Sequence, residues 1–326
     1  MDQQNVENLF TWFDQMVEII QRHEDMPYLD SLVEAGELLF VKQVSEEVEA
    51  KFKSELEAKL AEINMDHYER EEVRKGLQLA ILKGMKGVTQ QHHYITPDTV
   101  AIFMGYLLSK FMKNEQQFTI FDPACGTGNL LTAVLNQLKQ KVQATGSEVD
   151  STLIHLAYVN ANLQEREIEF HHQDSLGSFL VEPQDVIVSD VPVGYYPDDQ
   201  QARKFELRNE SEHSFAHHLF IEQSLRYTKP GGYVLLLVPA FIFNEDNSDK
   251  LHGYIQEHAH IQGVLQLPDS MFQNEQNAKC IFVLQKKGDQ TKPPKKVLMA
   301  QLPSFKDVKA MDKTLNHINV WFDKDR

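Results

Sequence analysis

Cysteine is almost absent from this chain. Its 326 residues hold only Cys125 and Cys280. Two cysteines, one of them inside a glycine-rich turn, exclude a disulfide framework and fit a reducing, cytoplasmic compartment. Long apolar runs are missing too. The longest, around Tyr233–Phe243, contains Pro239 and is far shorter than the roughly 20 residues that a membrane-spanning helix needs. The N-terminus is acidic and amphipathic, without the basic-then-apolar pattern of a leader, so no membrane role is expected. Positive charge is in deficit: 32 Lys and Arg stand against 48 Asp and Glu, a formal net charge of -16. That balance predicts a soluble protein and argues against an independent, non-specific grip on a nucleic-acid backbone. A local basic groove or a basic partner stays compatible with it. Metal-ligand spacing is lacking as well. The adjacent pairs His92-His93, His171-His172 and His217-His218 diverge on a strand or a helix, so no pair chelates alone. No His/Cys spacing matches a structural zinc site, and no metal is expected.

What the chain does have is length for a sizeable core and two distinct textures. Over residues 1–90, Leu9, Phe10, Phe13, Val17 and Ile20 recur at steps of three and four. Val44, Val48, Phe52, Leu56, Leu60 and Ile63 form a second stripe, with Glu and Lys between. Both stripes predict amphipathic helices. They form either a subdomain packed on the remainder or a cap that takes a protein partner or grips substrate. From Ile95 onward strands alternate with helices. Strands are predicted at Thr119–Asp122, Gln143–Val149, Ile168–Asp174, Asp185–Val188, Tyr233–Pro239, Ile261–Leu267 and Lys279–Gln285. Helices are predicted near 129–140, 151–163, 214–228 and 246–258. Lys229-Pro230-Gly231-Gly232 reads as a helix stop. No helical pattern separates the last two strands, so they are expected to pair antiparallel at the sheet edge. A short strand at Val297–Leu302 and a helix over 306–318 follow. The expected organisation is a helical subdomain over 1–90, a ligand-binding α/β domain over 91–290 and a C-terminal extension over 291–326.

Phe121-Asp122-Pro123-Ala124-Cys125-Gly126-Thr127-Gly128-Asn129-Leu130 joins the first of these strands to a helix. Such a Gly-x-Gly turn is where an open α/β sheet binds a nucleotide-like ligand. Gly126 and Gly128 permit backbone angles that a Cβ would forbid, and they let a ligand lie against the main chain. Glu148 ends the second strand about twenty residues later, where such folds put the acid that holds a ribose diol. Asp174 ends the third strand and suits an adenine amine. Each acid has a second reading as a helix cap. A dinucleotide fingerprint would need a third glycine at Leu131, and Asp122 before the turn would repel a pyrophosphate. S-adenosylmethionine has an adenosine, an amino-acid end and no phosphate, and fits these residues better than NAD.

Asp122-Pro123-Ala124-Cys125-Gly126-Thr127-Gly128 resembles motif I of the class I methyltransferases. More narrowly, it resembles the amino-methylating DNA adenine methyltransferases, especially the modification subunits of type I restriction systems. His93-Tyr94-Ile95-Thr96-Pro97 resembles that family's Tyr-x-Thr-Pro motif. Lys229–Tyr233 with Val238-Pro239 resembles its next strand segment. Gly263–Pro268 with Phe272, then Ile281–Leu284 with Lys286, resembles its C-terminal sheet. The likeness runs over about residues 90–287, in order. It implies a Rossmann-like class I methyltransferase fold: α/β, a mostly parallel seven-stranded sheet with one antiparallel strand, plus an N-terminal helical subdomain. It also implies S-adenosylmethionine as cofactor. Asp122, Gly126, Gly128 and Thr96 would hold its methionine end, Glu148 the ribose and Asp174 the adenine, with Tyr94, Pro123, Ala124, Cys125, Asn129, Val149, Ser175 and Asp190 also lining the cofactor site. Cys125 is then part of the cofactor turn and not a nucleophile.

The family's acceptor motif, Asn/Asp-Pro-Pro-Phe/Tyr, corresponds here to Ser189-Asp190-Val191-Pro192-Val193-Gly194-Tyr195-Tyr196-Pro197. Asp190 takes the acidic position and Pro192 that of the second proline. Val191 replaces the first proline and Val193 the aromatic. An exocyclic amine is a poor nucleophile because its lone pair is delocalised into the ring. Asp190 and the Val191 carbonyl can accept its two N–H groups and localise that lone pair; alignment then adds a proximity gain. The aromatic that stacks on a base flipped from the duplex is missing. Either Tyr195 or Tyr196 supplies it, or both pack under the turn. The residues after 287 are too few for a target-recognition region, so none is expected there. The polar region between Pro197 and Ser214, beginning Asp198–Phe205 and holding Arg203, Lys204 and Arg208, reads as a substrate loop or as solvated surface. Two functions are expected. One is methyl transfer to an amine nitrogen, with adenine N6 in nucleic acid as first acceptor. The other is a catalytically silent S-adenosylmethionine-binding module that acts through a protein partner.

Overall fold

The computed structural model describes residues 1–86, 95–178, 181–244, 248–272, 274 and 277–326. Four helices come first: α1 (Gln3–His23), α2 (Tyr28–Val41), α3 (Ala50–Leu60) and α4 (Arg70–Met85). The first apolar stripe is the buried face of α1, where Leu9, Phe13, Val17 and Ile20 are fully enclosed. The second stripe is only partly helical. Glu49 caps α3 by accepting the Lys51 N–H, so Val44 is buried in the connection that precedes the helix. Helix α4 opens with a capping box between Glu69 and Glu72, which satisfies two of its otherwise unpaired N–H groups.

The remaining elements are α5 (Asp98–Phe111), β1 (Gln117–Asp122), α6 (Asn129–Gln137), β2 (Lys141–Glu148), α7 (Ser151–Leu163), β3 (Ile168–His172), β4 (Gln184–Asp190), α8 (Asp199–Ala202), α9 (Ala216–Arg226), β5 (Thr228–Pro239), α10 (Ser248–His258), β6 (Ala259–Gln266), β7 (Lys279–Lys286), β8 (Leu298–Gln301) and α11 (Val308–Lys324). Helix α5 follows Pro97 directly, where the sequence pattern predicts no element. It is apolar around much of its circumference, with Val100, Phe103, Met104, Leu107 and Phe111 buried.

The strands form one sheet in the order β3-β2-β1-β4-β5-β7-β6-β8. β4 runs parallel to both β1 and β5, with Ile120 opposite Val186 and Val188 opposite Leu235. β7 runs antiparallel to both β5 and β6. This is the expected class I architecture, with corrections. The sheet has eight strands, not seven, because Leu298–Gln301 pairs parallel along β6 and covers an edge that would otherwise expose unpaired N–H and C=O groups. β6 and β7 pair as expected, but β7 lies inside the sheet. Its Cys280 to Leu284 are all buried, as a strand covered on both faces requires. Helix α9 ends just ahead of Lys229–Gly232, as the stop predicts, but β5 already begins at Thr228 and not at Tyr233. Gly231 takes φ +86°, and the register shifts between Gln184 and Val186 against β5, so these residues form an irregularity inside a long strand.

By contact the chain divides into two compact units. The first comprises Met1–Ala101, Cys125–Leu138 and Gly146–His172. Its core joins side chains of the first four helices to Leu153, Leu156, Val159 and Leu163 of α7. A Cβ on Gly36 would stand 2.2 Å from Val159 Cγ1, so α2 and α7 approach to a distance that only glycine allows. The second unit comprises Ile102–Ala124, Lys139–Thr145 and Gln173–Arg326. Its core gathers Phe121, Ile187 and Val191 with α9, β5, α10 and β7.

Candidate cofactor and acceptor site

In the first unit, the turn after β1 is built on two left-handed glycines, Gly126 at φ +54° and Gly128 at φ +71°. The Cys125 N–H donates to the Ser147 carbonyl at 2.9 Å, Gly128 N–H to the Cys125 carbonyl at 2.8 Å, and Asn160 Nδ2 to the Thr127 carbonyl at 3.0 Å. A Cβ on Gly126 would meet nothing within 4 Å, whereas one on Gly128 would lie 3.3 Å from Ala157 Cβ. Open ground therefore borders the turn at Gly126. Glu148, at the end of β2, faces this turn. Its Oε2 accepts the Gly126 N–H at 2.9 Å, and its Oε1 accepts those of Val149 and Asp150 at 2.8 and 3.0 Å. An acceptor position remains on Oε2 for a ribose hydroxyl. Val149 itself is exposed. Cys125 is buried, 3.1 Å from where a Cβ on Gly146 would stand, which fits packing and not nucleophilic chemistry. Thr96 is buried, and its carbonyl accepts from Asn129 Nδ2 at 3.2 Å. Tyr94 lies outside the described residues.

In the second unit, Asp122 ends β1 almost fully buried. Its Oδ1 accepts from Ser189 Oγ at 2.7 Å and from the Ala124 N–H at 3.1 Å. Ser175 Oγ donates to the Pro123 carbonyl at 2.6 Å, so Ser175 braces the start of the turn. Asp174 accepts the Leu176 N–H on Oδ1 and the Tyr196 hydroxyl on Oδ2, at 2.9 and 2.6 Å. Burial and the neighbouring Asp174 push the Tyr196 phenol well above its ordinary pKa. Tyr196 is therefore a buried support for Asp174. Tyr195 is different. It is 58% exposed and stacks on Phe215, with ring centroids 5.0 Å apart and planes 14° from parallel. The Ala216 N–H donates to the Gly194 carbonyl and the Tyr196 N–H to the Ser214 carbonyl, each at 2.8 Å, and Gly194 takes φ +123°. These features turn Tyr195 outward and Tyr196 inward. Val191 is buried, while Pro192 is exposed.

Asp190 ends β4, and its Oδ1 accepts a hydrogen bond from Lys279 Nζ at the start of β7. Nothing in the sequence marks Lys279 as part of the site. The one available signal is a cation opening an otherwise apolar strand. The stretch after Pro197 is tied down. Phe205 and Leu207 are buried, and the carboxylate of Glu222 accepts the N–H groups of Glu206 and Leu207 at 3.0 and 2.7 Å. Arg208 pairs with Glu210 at 2.9 Å.

These groups are rich in acceptors near the turn and contain no cluster of cations. In the first unit Glu148 suits a diol; in the second Asp122 and Asp174 suit an ammonium end and an aromatic amine, and carboxylates disfavour phosphate. S-adenosylmethionine fits that chemistry. Among the described residues, no group of three or more His, Cys, Asp and Glu could hold a metal ion. No described helix is long and apolar enough to cross a membrane.

Comparison with known proteins places the chain in a family. Residues 84–321 match the N-6 DNA methylase family, and residues 7–85 match the YtxK N-terminal helical domain. The chain is 43% identical over 329 residues to the uncharacterized protein YtxK of Bacillus subtilis, with both chains covered in full. A solved structure from Listeria monocytogenes, described as a candidate class I S-adenosylmethionine-dependent methyltransferase, superposes with a TM-score of 0.92 at 43% identity over 98% of this chain and 100% of that one. The methylase subunit of the type I restriction enzyme EcoEI of Escherichia coli is 22% identical over 275 residues, 78% of this chain and 54% of the relative. This chain therefore belongs to the N-6 DNA methylase family, with the class I methyltransferase fold and S-adenosylmethionine as the cofactor that membership implies.

Proposed function

We propose that this protein transfers a methyl group to an amine nitrogen, with adenine N6 in nucleic acid as the first candidate acceptor. The observation that carries the proposal is the 2.7 Å hydrogen bond from Ser189 to Asp122. It ties the residue before Asp190 to the residue that opens the glycine turn. Bound S-adenosylmethionine supplies an electrophilic methyl on a sulfonium. Asp122 and Thr96 hold the methionine end, with Tyr94, while the Asn129 amide is engaged by Arg74 and the Thr96 carbonyl; Glu148 accepts from the ribose and Asp174 from the adenine amine. Asp190 and the Val191 carbonyl accept the two N–H groups of the incoming amine and localise its lone pair. Pro192 stiffens the turn that carries them. Tyr195, backed by Phe215, offers the stacking face that the motif loses at Val193. Lys279 offsets the charge of Asp190, which favours an uncharged aromatic amine over an alkylammonium.

Incubation with methyl-labelled cofactor and DNA, RNA or cell lysate tests the proposal. Label is expected in one fraction, and Asp190→Ala abolishes it while the protein still binds cofactor. The ion pair with Lys279 and the valine at position 193 favour a second reading, a silent cofactor-binding module. In that case a protein partner docks on the N-terminal helices, where Phe40, Val41, Leu79 and Leu82 are exposed. Cofactor binding with no label in any fraction would select it. Both readings take the protein as cytoplasmic.

A further inference from the structure

Arg74 has no task in methyl transfer as described so far. It lies on α4, in the segment that matches the YtxK helical domain, and its side chain is wholly buried. Its Nε and Nη2 donate to Glu71 at 2.9 and 2.5 Å, Nη2 also to Asp98, and Nη1 to Asn129 Oδ1 at 2.6 Å. Lys75 Nζ adds a second cation on Asp98 Oδ2 at 2.9 Å. Burying such a cluster is costly compared with packing apolar residues in the same space, so its geometry is its distinguishing property.

The geometry acts on one amide. A guanidinium only donates, so the Asn129 oxygen must face Arg74. The Asn129 Nδ2 is then aimed the other way, onto the Thr96 carbonyl at 3.2 Å. Asn129 directly follows Gly128, and Thr96 stands two residues before Asp98. One side chain thus sets the start of α5 and the start of α6 together. Glu71, the other acid on Arg74, accepts from Asn136 Nδ2 of α6 at 3.0 Å, which repeats the link one helix stretch later.

We infer that Arg74 is a positioning residue for the cofactor turn: by orienting the Asn129 amide it clamps the Thr96 backbone to the glycine turn, so the N-terminal helical segment is part of the cofactor-binding apparatus. This rests on the reading that the turn holds S-adenosylmethionine. The test uses the full chain and titrates S-adenosylhomocysteine by calorimetry. Arg74→Lys keeps a cation but loses the fork; it is expected to weaken binding at least tenfold. Asn129→Asp keeps an acceptor toward Arg74 but removes the donor toward Thr96, and the same loss is expected with Arg74 still paired. The double variant Arg74→Lys/Asn129→Asp is expected to bind no more weakly than Asn129→Asp alone, because Arg74 acts through Asn129. Wild-type affinity in both single variants, or losses that multiply, would overturn the inference. Should Arg74→Lys fail to fold, Asn129→Asp decides by the same criterion. Amide exchange at Gly126–Asn129 in the ligand-free protein separates this inference from the cofactor reading. Faster exchange in Arg74→Lys supports the clamp even if the wild type binds no cofactor, and unchanged exchange refutes it.

Discussion

Lys279 sets what Asp190 can do. Its ammonium and the carboxylate are largely shielded from solvent, at 20% and 13% exposure, so removing one partner leaves the other poorly solvated. Lys279→Met is expected to lower the unfolding free energy by about 1–3 kcal/mol, measured by urea denaturation. Asp190→Asn in the same background should recover part of that loss, a coupling of about 0.5–3 kcal/mol in a double-mutant cycle. The two adjacent tyrosines make the opposite lesson. Tyr195→Ala is expected to change stability by no more than about 0.5 kcal/mol but to weaken binding of single-stranded oligonucleotides by about 1–3 kcal/mol; Tyr195→Phe retains the binding. Tyr196→Phe loses its bond to Asp174 and should cost about 1 kcal/mol of stability. Sequence alone left these neighbours interchangeable. Their division of labour follows from the positive φ of Gly194 and the pairing of this turn with Phe215.

The glycine turn was legible because its demands are local. Two positive φ angles and a strand-to-helix connection can be read from a few contiguous residues. Gly128→Ala is expected to destabilise the fold by about 1–2 kcal/mol for the left-handed conformation, with added strain from Ala157. Gly126→Ala carries the same backbone cost but meets open space. Its larger effect is expected on cofactor affinity, read by calorimetry beside the urea midpoint. Strands β1 to β7 and helices α6, α7, α9 and α10 were foreseen within a few residues, because apolar period and turn residues define them. β8 was foreseen as a strand but left out of the sheet. Its four residues carry too little pattern to reveal a partner, and the pairing to β6 arises only when the chain folds back.

For the molecule as a whole, cofactor at one hundred times its Kd should add about 2.7 kcal/mol of stability, seen as a raised thermal midpoint. A protein that shows no shift with S-adenosylmethionine or S-adenosylhomocysteine contradicts the cofactor assignment. Acid should act through Asp98. Burial alone would raise its pKa, but Arg74 and Lys75 outweigh burial and hold it below the usual range. The folded value lies under the unfolded one, near 3.9. Its contribution is therefore complete above about pH 4 and is lost as pH falls through the depressed value. Asp98→Asn is expected to lower the urea midpoint at pH 7 and to flatten the decline between pH 4 and pH 3.

Composition, motif order and the glycine turn were enough to foresee an α/β methyltransferase with an N-terminal helical segment. Each rests on contiguous residues, whose backbone preferences and chemistry do not depend on distant parts of the chain. Tyr94 stays an expectation, outside the described residues. The partners that shape the site could not be seen that way. Lys279 meets Asp190 across 89 positions and Arg74 meets Asn129 across 55. Ion pairs and buried amides take their orientation from whatever the fold brings alongside, and a linear pattern holds no record of that distance.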